Sequence, residues 1–370
     1  MKKIVLTGGG TAGHVTPNIA LLPALCKMGC EIHYIGDVNG MEKRLMAPFD
    51  FVTYHGISTG KLRRYLSVQN LKDPFKVLKG ISQSKKLLGE IRPDVIFAKG
   101  GFVSVPVVMA AKKHKIPVVL HESDFTIGLA NRISAPRASI VCTSFAPTVN
   151  EVKGGHGVWT GSPVREELLH ATRTQAQDFF KFPVPEQPTL VFMGGSLGAQ
   201  VLGERVADLA KWEIAQRDFL HVHATGSIEK ADFAALAARL GIDHSPKFII
   251  REYIDNMPEM LAAADLVISR AGALTLAEIA AVGRASVLIP SPNVAENHQY
   301  HNAMQLQKLG AAVVVEEKEL TGEKLIGIVD KLTKDPAELM LMGAKARALA
   351  QPDSLDKICE NLDQLMKTTA

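Results

Sequence analysis

The stretch KKIVLTGGGTAGHVTPNIALLPAL, residues 2–25, decides the fold class of this chain. A short apolar run leads into a glycine-rich turn, and a helical pattern of apolar residues follows, which is the order that opens a doubly wound α/β domain. A second stretch of the same order, PTLVFMGGSLGAQVLGERVADLA, occupies residues 188–210, about half a chain later. One such turn could open any doubly wound domain, whereas two of them predict two Rossmann-like domains.

Apolar runs that alternate with helical patterns extend this organisation along all 370 residues. We predict buried strands at residues 3–7, 31–35, 94–98, 118–121, 139–143, 189–193, 221–225, 248–251, 266–269 and 286–289. Helical patterns lie between them, for example at residues 17–28, 200–210, 231–240 and 274–282. This alternation predicts an α/β protein with parallel sheets and two domains, at residues 1–162 and 163–350. A C-terminal helix at about residues 352–367 could pack on either domain, and we group it with the first.

Composition and charge exclude several classes of protein. Apolar residues make up 46% and charged residues 22% of the chain, as in ordinary soluble domains, so the chain is neither disordered nor collagen-like. The four cysteines lack paired CxxC spacing, and we therefore expect neither a disulfide scaffold nor a zinc site. The first apolar run is too short for a signal peptide and no window reaches the roughly 18 apolar residues of a membrane span, so we expect a cytoplasmic protein. A net charge of +4, without stacking-type aromatic motifs, does not indicate a nucleic-acid partner.

Three glycine turns point to ligands with anionic or polar groups. The first, a GxGxxG motif at residues 8–13 with Asp37 after the next strand, matches the dinucleotide fingerprint of a dehydrogenase. Polar side chains inside that turn, and a second turn at residues 194–199, count against a dehydrogenase. A third turn lies at residues 100–104. Because glycines allow a ligand to approach the backbone closely, the three turns predict a site for a diphosphate and a second polar substrate.

A different turn, SRAGALTLAE, occupies residues 269–278 after a predicted strand. Glu278 falls near the start of the helix that follows. There its carboxylate could accept hydrogen bonds from a ribose diol while N–H groups at the helix N-terminus hold phosphate. Thr275 and Glu278 also have the S/T-x-x-E spacing of a helix-capping pair, and the sequence leaves both interpretations open.

Seven segments, in the same order along the chain, are similar to one family. They are GGGTAGHVTPNIA (8–20), KGGFVSVP (99–106), PVVLHESDFTIGLANR (117–132), TGSPVR (160–165), MGGSLGA (193–199), ADLVISRAGALTLAEIAA (264–281) and IPSPNVAENHQYHNA (289–303). The chain thereby resembles the MurG family of peptidoglycan N-acetylglucosaminyltransferases. The resemblance implies a GT-B fold, with two Rossmann-like parallel-sheet domains facing a central cleft. It also implies an inverting transfer of GlcNAc from UDP-N-acetylglucosamine to the C4 hydroxyl of undecaprenyl-pyrophosphoryl-MurNAc-pentapeptide (lipid I to lipid II), with no cofactor and no metal in the active site.

The resemblance further implies the site residues. The family's essential histidine corresponds to His14, the first candidate for the catalytic base, and Glu122 is the second. Alternatively, His14 could position substrate without taking its proton, and Glu122 could be a buried structural carboxylate. The donor-binding residues implied are Thr11, Ala12, Gly13, Asp124, Arg165, Ser196, Ile254, Ala273, Leu274, Thr275, Leu276, Ala277, Glu278 and Gln299. The acceptor-side residues implied are Gly100, Gly101, Phe102 and Ser104.

Four positions depart from the common form of the family. Phe102 stands where tyrosine is common, Val105 where glycine is common, and His298 where other members carry a first glutamine. Asp124 replaces an amide that could both donate and accept a hydrogen bond, which puts its sugar contact in question. These departures bear on details of acceptor binding rather than on the reaction.

A basic and apolar stretch at residues 61–86 is typical of a surface that binds anionic lipid. It carries eight Lys or Arg residues against one acid, with apolar residues between them. We expect Phe75, Lys76, Leu78 and Lys79 to contact the anionic inner leaflet, which makes the chain a peripheral protein of the cytoplasmic face of the cell membrane. An ordinary solvated helix face is the alternative.

Two other functions remain open at this point, a UDP-GlcNAc 2-epimerase and another GT-B glycolipid glycosyltransferase. An epimerase would convert UDP-N-acetylglucosamine without a lipid acceptor, whereas a transferase should leave the donor alone mostly intact.

Overall fold

The computed structural model describes residues 1–60, 69–181, 187–194, 200–254 and 256–368, with the side chains of residues 69–74, 200 and 227–230 left undescribed. The chain divides into two compact units, Met1–Val164 with Gln351–Ala370, and Arg165–Ala350. Each unit contains one fully parallel sheet. The predicted α/β class with two Rossmann-like domains is therefore confirmed.

The first unit is built on seven strands in the order β3-β2-β1-β4-β5-β6-β7. The strands are β1 Lys3–Thr7, β2 Glu31–Asp37, β3 Val52–Ile57, β4 Val95–Ala98, β5 Val118–Glu122, β6 Ile140–Thr143 and β7 Gly157–Trp159. Their carboxyl ends are aligned, since Thr7 pairs with Ile35 on one side and with Ala98 on the other. The strand order reverses between β1 and β4, and open α/β sheets bind ligands above such a switch point.

The second unit repeats this arrangement with six strands in the order β10-β9-β8-β11-β12-β13. The strands are β8 Thr189–Met193, β9 Leu220–Ala224, β10 Phe248–Arg251, β11 Leu266–Ser269, β12 Ala285–Leu288 and β13 Ala312–Val314. Met193 pairs with Ala224 and with Ser269, so the ends of the central strands are again level. The switch point of this sheet lies between β8 and β11.

Helices follow most strands. In the first unit they are α1 Thr16–Lys27, α2 Met41–Met46, α3 Gln69–Ile91, α4 Ser104–His114 and α5 Leu129–Ser134. In the second they are α6 Glu167–His170, α7 Arg173–Phe180, α8 Gln200–Gln216, α9 Gly226–Leu240, α10 Met257–Ala263, α11 Ala273–Val282, α12 His298–Lys308, α13 Gly322–Thr333 and α14 Pro336–Arg347. Alternate residues of β1 enter different cores, Ile4 and Leu6 with Leu21, and Val5 with Leu88, so both faces of the sheet are covered.

The C-terminal helix α15, Ser354–Thr368, belongs to the first unit, where it packs on α1 and β4. Ile358, Leu362 and Met366 recur every fourth residue and are buried in the core of that unit. Each buried side chain of this size contributes about 1.5–3 kcal/mol, so this face accounts for the docking of the helix. Ser354 Oγ also donates a hydrogen bond to the carbonyl of Ser162 at 3.0 Å.

Three strands were absent from the sequence-based prediction, namely β3, β7 and β13. Each of them lies at an edge of its sheet. In β3, Thr53 and Gly56 are exposed and interrupt the apolar pattern. The strands β7 and β13 have only three residues each. Edge strands are less completely buried than central ones, so they lack the continuous apolar run on which the prediction rests.

Candidate active site

The loops predicted to bind substrate begin at the switch points of the two sheets. In the first unit they follow the neighbouring strands β1 and β4, and in the second they follow β8 and β11. This is where the topology leaves backbone N–H groups and loop side chains exposed to a ligand. Ser196, predicted at the diphosphate in the loop after β8, lies outside the described residues.

The first glycine loop is fixed from beneath by buried polar side chains. Tyr34 Oη donates to the carbonyl of Gly8 at 2.8 Å, and Asn18 Nδ2 donates to Tyr34 Oη at 3.2 Å. A Cβ atom on Gly9 would lie 2.6 Å from the carboxyl carbon of Glu42, a residue that is fully buried. A side chain at Gly9 would therefore have to displace the buried carboxyl group of Glu42.

His14 ends a single 3₁₀ turn, Ala12–His14, directly after this loop. Its Nδ1 lies 3.1 Å from the carbonyl oxygen of Gly9 and 3.0 Å from Thr11 Oγ1. Because a carbonyl oxygen can only accept, the contact with Gly9 favours the tautomer that carries its proton on Nδ1. The neutral imidazole then has its basic lone pair on Nε2, the form required of a general base. Thr11, Ala12 and Gly13 belong to the same turn, so the structure keeps these predicted residues beside His14.

The second glycine turn packs directly on the first. Gly100 and Gly101 have φ angles of +95° and +74°, in the region that favours glycine. A Cβ atom on Gly101 would lie 2.4 Å from the carbonyl oxygen of Gly9 and 3.1 Å from His14 Nδ1. The buried Ser104 donates from Oγ to the carbonyl of Gly101 at 2.9 Å, and Phe102 is half-buried. The predicted acceptor-side residues and His14 therefore form one cluster.

Glu122 is a buried carboxylate whose oxygens already accept hydrogen bonds. Oε1 accepts from the backbone N–H of Asp124 at 2.9 Å, and Oε2 accepts from Gly128 N and Asn131 Nδ2, both at 2.9 Å. Burial raises the pKa of Glu122, and the carboxylate of Asp124 raises it further. These contacts show how Glu122 orders the loop after β5, which favours its structural interpretation over that of a base.

Two residues of this cluster were not singled out in the sequence. Asn131, on α5, donates to the carbonyl of His121 at 3.1 Å as well as to Glu122, and it lies against Gly100. Lys99, between β4 and Gly100, is only 1% exposed and donates from Nζ to Ser123 Oγ. A lysine that directly follows a four-residue apolar strand is the signal that could have identified Lys99.

In the second unit, Glu278 forms a partly buried pair with Arg165. Arg165 Nη2 lies 3.8 Å from Glu278 Oε1, and the two side chains are 31% and 11% exposed. Burial raises the pKa of Glu278 to about 7, although the guanidinium of Arg165 lowers it. Arg165 Nε is buried and makes no hydrogen bond within the described part of the chain. A carboxylate and a guanidinium that are so incompletely paired are typical of a ligand site rather than of a structural ion pair.

Glu278 lies on α11, whose N-terminus faces the switch point. Gly272 is the N-cap residue, and no described side chain caps this helix, so the capping pair of Thr275 and Glu278 is not formed. The N–H groups of the first turn, residues 273–275, lack intrahelical acceptors and carry the positive end of the helix dipole. This end of α11 is therefore suited to hold phosphate oxygens.

Gln299 lies in the first turn of α12, after a strained loop. Glu296 and Asn297 both have φ angles of +49°, which is unusual for residues other than glycine. Gln299 Oε1 accepts from the backbone N–H of Ser291 at 2.9 Å. This bond uses the amide oxygen, so the NH₂ group is the end that could donate to a sugar hydroxyl.

Arg270 was also missed from the sequence, and it connects the two donor-side loops. It lies directly after β11, forms an ion pair with Glu317, and donates to the carbonyls of Ile289 and Pro290 at 3.2 and 3.4 Å. Arg270 therefore joins the start of α11 to the chain that leads to Gln299. Its contacts are to residues distant in sequence, so no local motif could have indicated them.

Two further donor-side predictions have distinct surroundings. Ile254, three residues after β10, is 2% exposed, so its backbone rather than its side chain is left for recognition. Asp124 is half-buried in the loop after β5, in the first unit. Among the described residues, no group of three or more His, Cys, Asp and Glu side chains is arranged to hold a metal ion.

The predicted membrane residues lie on the exposed side of α3. Phe75 and Leu78 are 75% and 63% exposed, and Lys76 and Lys79 are exposed beside them. The basic residues at 61–68 lie outside the described residues, as does the side chain of Lys72. Within the described ranges, every helix is too short or too polar to cross a bilayer.

Family models match most of the chain. The glycosyltransferase family 28 N-terminal domain matches residues 4–143, and the glycosyltransferase family 28 C-terminal domain matches residues 189–358. These ranges include the switch points of both sheets.

Individual proteins show the same relationship. A UDP-N-acetylglucosamine--N-acetylmuramyl-(pentapeptide) pyrophosphoryl-undecaprenol N-acetylglucosamine transferase of Lachnospira eligens is 42% identical over 97% of this chain and 98% of its own length. The crystal structure of Acinetobacter baumannii MurG superposes with a TM-score of 0.77 at 28% identity, covering 98% of this chain and all of the other. A UDP-GlcNAc 2-epimerase of Neisseria meningitidis bound to UDP-GlcNAc has a TM-score of 0.71 at 14% identity, over 98% of this chain and 100% of the other. The similarity to the epimerase concerns the fold alone.

Proposed function

The chain belongs to glycosyltransferase family 28 and to its MurG branch, and on that premise we propose that it catalyses the transfer of GlcNAc that completes lipid II. The donor is UDP-N-acetylglucosamine. The acceptor is the C4 hydroxyl of the muramyl sugar in undecaprenyl-pyrophosphoryl-MurNAc-pentapeptide, and the reaction belongs to peptidoglycan synthesis. The observation that carries this proposal is the 42% identity, over 97% of the chain, to a relative named for this transfer.

The donor binds chiefly to the second unit in this proposal. The N-terminus of α11, residues 273–277, and Arg165 hold the diphosphate, together with Ser196 of the loop after β8. Glu278 accepts hydrogen bonds from the ribose hydroxyls, and the backbone of Ile254 recognises the uracil. Incomplete pairing of Glu278 and Arg165, at 3.8 Å, supports these roles because each group retains capacity for a ligand.

Gln299 is proposed to contact the sugar end of the donor. Gln299 donates through its NH₂ group to a sugar hydroxyl, and its oxygen is held by Ser291. The family resemblance also assigns donor contacts to residues 11–13 and to Asp124. A carboxylate at that position can accept but not donate, so it selects for hydroxyl or amide N–H groups.

His14 is the general base in this mechanism. Its Nε2 removes the proton of the C4 hydroxyl while the oxygen of that hydroxyl forms a bond to the anomeric carbon of GlcNAc. The bond from that carbon to the β-phosphate oxygen breaks on the opposite face, and UDP departs with the electron pair, which inverts the anomeric configuration. Arg165 and the N–H groups of α11 stabilise the charge that develops on the departing diphosphate. The contact of Nδ1 with Gly9 supports this role, since it fixes the tautomer with a basic Nε2.

The lipid acceptor accounts for the exposed residues of α3. Phe75 and Leu78 insert among lipid chains, while Lys76 and Lys79 contact anionic headgroups of the inner leaflet. The chain then acts as a peripheral protein of the cytoplasmic face. The exposure of Phe75 and Leu78 beside Lys76 and Lys79 supports this assignment, because apolar residues flanked by basic ones suit an anionic membrane surface.

A turnover assay tests the proposal against its alternatives. Incubation with UDP-N-acetylglucosamine and a lipid I analogue should release UDP and form a disaccharide with inverted anomeric configuration. Incubation with the donor alone should leave it mostly intact. Formation of the 2-epimer from the donor alone, with no product on the lipid analogue, would instead establish an epimerase.

A further inference from the structure

Lys99 is a buried cation that the mechanism above does not use. It lies directly after β4, at the switch point of the first sheet, and is 1% exposed. Burial of an ammonium group is costly unless nearby groups compensate its charge. A lysine in this position therefore calls for a structural or functional explanation.

The contacts of Lys99 connect three loops of the site. Its backbone N–H donates to the carbonyl of Thr7 at 2.9 Å, at the start of the first glycine loop. A Cβ atom on Gly8 would lie 3.2 Å from Lys99 Cβ, so the two loops are in close contact. At the other end of the side chain, Nζ donates to Ser123 Oγ, in the loop after β5. The glycine turn of Gly100 and Gly101 follows Lys99 directly.

Four titratable groups face the ammonium of Lys99. Glu122 and Asp124 favour its charged form. His121 is neutral, because burial and the charge of Lys99 hold its pKa well below the usual range, and its Nε2 donates to the carbonyl of Gly161 at 2.8 Å. Burial raises the pKa of Cys142 to about 12, so the thiol is neutral too. Glu122 and Asp124 are therefore the acidic groups that stabilise the charged form of Lys99.

We propose that Lys99 is a positioning residue of the transfer reaction, whose ammonium group compensates Glu122 and Asp124 and thereby holds residues 123–128 and the glycine turn against His14. This inference rests on the proposed function for its kinetic readouts. Lys99 acts through Ser123, Asp124 and the turn rather than by touching the reacting atoms. Its charge, and not only its packing, is what the loop requires, because the negative charges of Glu122 and Asp124 and the ammonium group of Lys99 stabilise one another.

A charge-dependent role has a consequence for the effect of pH. Burial lowers the pKa of Lys99 to about 8, so the ammonium group loses its proton as the pH rises through that value. Transfer should therefore decline on the alkaline side of pH 8.

The first test compares Lys99→Met with Lys153→Met, which removes an exposed lysine of the same unit. Lys99→Met should lower kcat by about 10²-fold, the effect of a misplacement of about 1 Å in a reacting geometry. Its UDP affinity should change much less than its kcat, because the donor residues of the second unit are unchanged, and its alkaline limb should disappear. Lys99→Arg should keep part of the activity and move the limb to higher pH. Lys153→Met should behave as the parent in every measurement.

The second test asks whether charge compensation is the cause. The double variant Lys99→Met/Asp124→Asn removes one positive and one negative charge, and it should recover at least about tenfold of the kcat lost in Lys99→Met, since coupled residues deviate from additivity by this much. No recovery, together with a parent-like alkaline limb in Lys99→Arg, would overturn the proposal. If Lys99→Met does not unfold cooperatively on heating, the double variant and Lys99→Arg test the proposal in its place.

Hydrogen exchange separates this proposal from the proposed function, because it requires no substrate. In Lys99→Met, backbone amides of residues 123–131 should exchange faster than in the parent, while those of residues 273–282 in the second unit should not change. If the parent fails to transfer GlcNAc but Lys99→Met shows this local change, the transferase assignment fails and the positioning of the loop stands. Unchanged exchange at residues 123–131 with parent-like kcat would contradict the role of Lys99.

Discussion

The two switch points have the same strand topology but are made of different groups. In the first unit the loops pack backbone on backbone, since a Cβ atom on Gly101 would lie 2.4 Å from the carbonyl oxygen of Gly9. His14 Nδ1 lies beside the same contact, 3.1 Å from such a Cβ atom on Gly101. In the second unit the corresponding position is the N-terminus of α11, with Arg165 and the buried carboxyl group of Glu278 beside it.

This difference indicates how one fold supports two tasks. Close glycine contacts fix a histidine in one tautomer, as proton transfer from an acceptor hydroxyl requires. A helix N-terminus with a guanidinium and a carboxylate instead offers hydrogen bonds and charge to a nucleoside diphosphate. We therefore assign proton transfer to the first unit and most donor binding to the second, and four predictions examine that division.

Removal of the His14 imidazole should have the largest effect. His14→Ala should lower kcat by about 10²- to 10⁴-fold, the usual contribution of a general base. The acid limb of the pH–rate profile should also disappear or shift, because it would report protonation of Nε2. Steady-state kinetics with a lipid I analogue measures both. A loss of about tenfold or less with an intact acid limb, below what a general base contributes, would reduce His14 to a positioning role.

Glu278 should control the donor rather than the chemistry. Glu278→Ala should weaken UDP binding by about 1.5–3 kcal/mol, or roughly 10- to 100-fold, the range for hydrogen bonds to a charged group. Calorimetric titration with UDP measures this change. An affinity equal to that of the parent would remove Glu278 from the donor site.

The exposed residues of α3 should affect membrane binding, but neither donor binding nor catalysis at the switch points of the two sheets. Replacing Phe75 and Leu78 by Ser, and Lys76 and Lys79 by Glu, should weaken binding to anionic vesicles by at least roughly 30-fold, as each lysine contributes about 1 kcal/mol near such a surface. Vesicle sedimentation measures binding. Activity on a short-chain soluble acceptor should survive, and equal sedimentation of variant and parent would contradict the assignment of this helix.

The pH dependence of UDP affinity should show the smallest effect. The carboxyl group of Glu278 has a pKa of about 7, raised by burial, and only its ionised form accepts hydrogen bonds at both oxygens. UDP affinity should therefore be full above that pKa and about tenfold lower one pH unit below it. Titrations across this range should show the decline in the parent and a flat profile in Glu278→Gln. A parent profile as flat as that of the variant would mean that binding does not use this ionisation.

Much of the fold could be predicted because the central strands are buried on both faces and read as continuous apolar runs. The strand Lys3–Thr7 was predicted with both of its ends correct. The edge strand β3 was missed because exposed residues interrupt its apolar run. The edge strands β7 and β13 were missed because each has only three residues. The α/β class survives this loss, since it depends on the central strands and the glycine turns between them and their helices.

The site was predictable only where its residues form local motifs. Glycine turns and the residues around them can be recognised in sequence because backbone geometry demands them locally. Lys99, Asn131 and Arg270 act on loops that are distant along the chain, and their partners become visible only when strands are placed side by side. The choice between a capping pair and a ligand group at Glu278 likewise required the structure, which shows no described side chain capping α11.

The division of labour between the units is tested most directly by one titration, in which UDP affinity is measured for the parent, His14→Ala and Glu278→Ala under the same conditions. The account predicts that His14→Ala binds UDP as tightly as the parent although its turnover has collapsed, and that Glu278→Ala binds UDP at least about tenfold more weakly. Equal weakening in both variants, or weakening in His14→Ala alone, would contradict the assignment of proton transfer to the first unit and donor binding to the second.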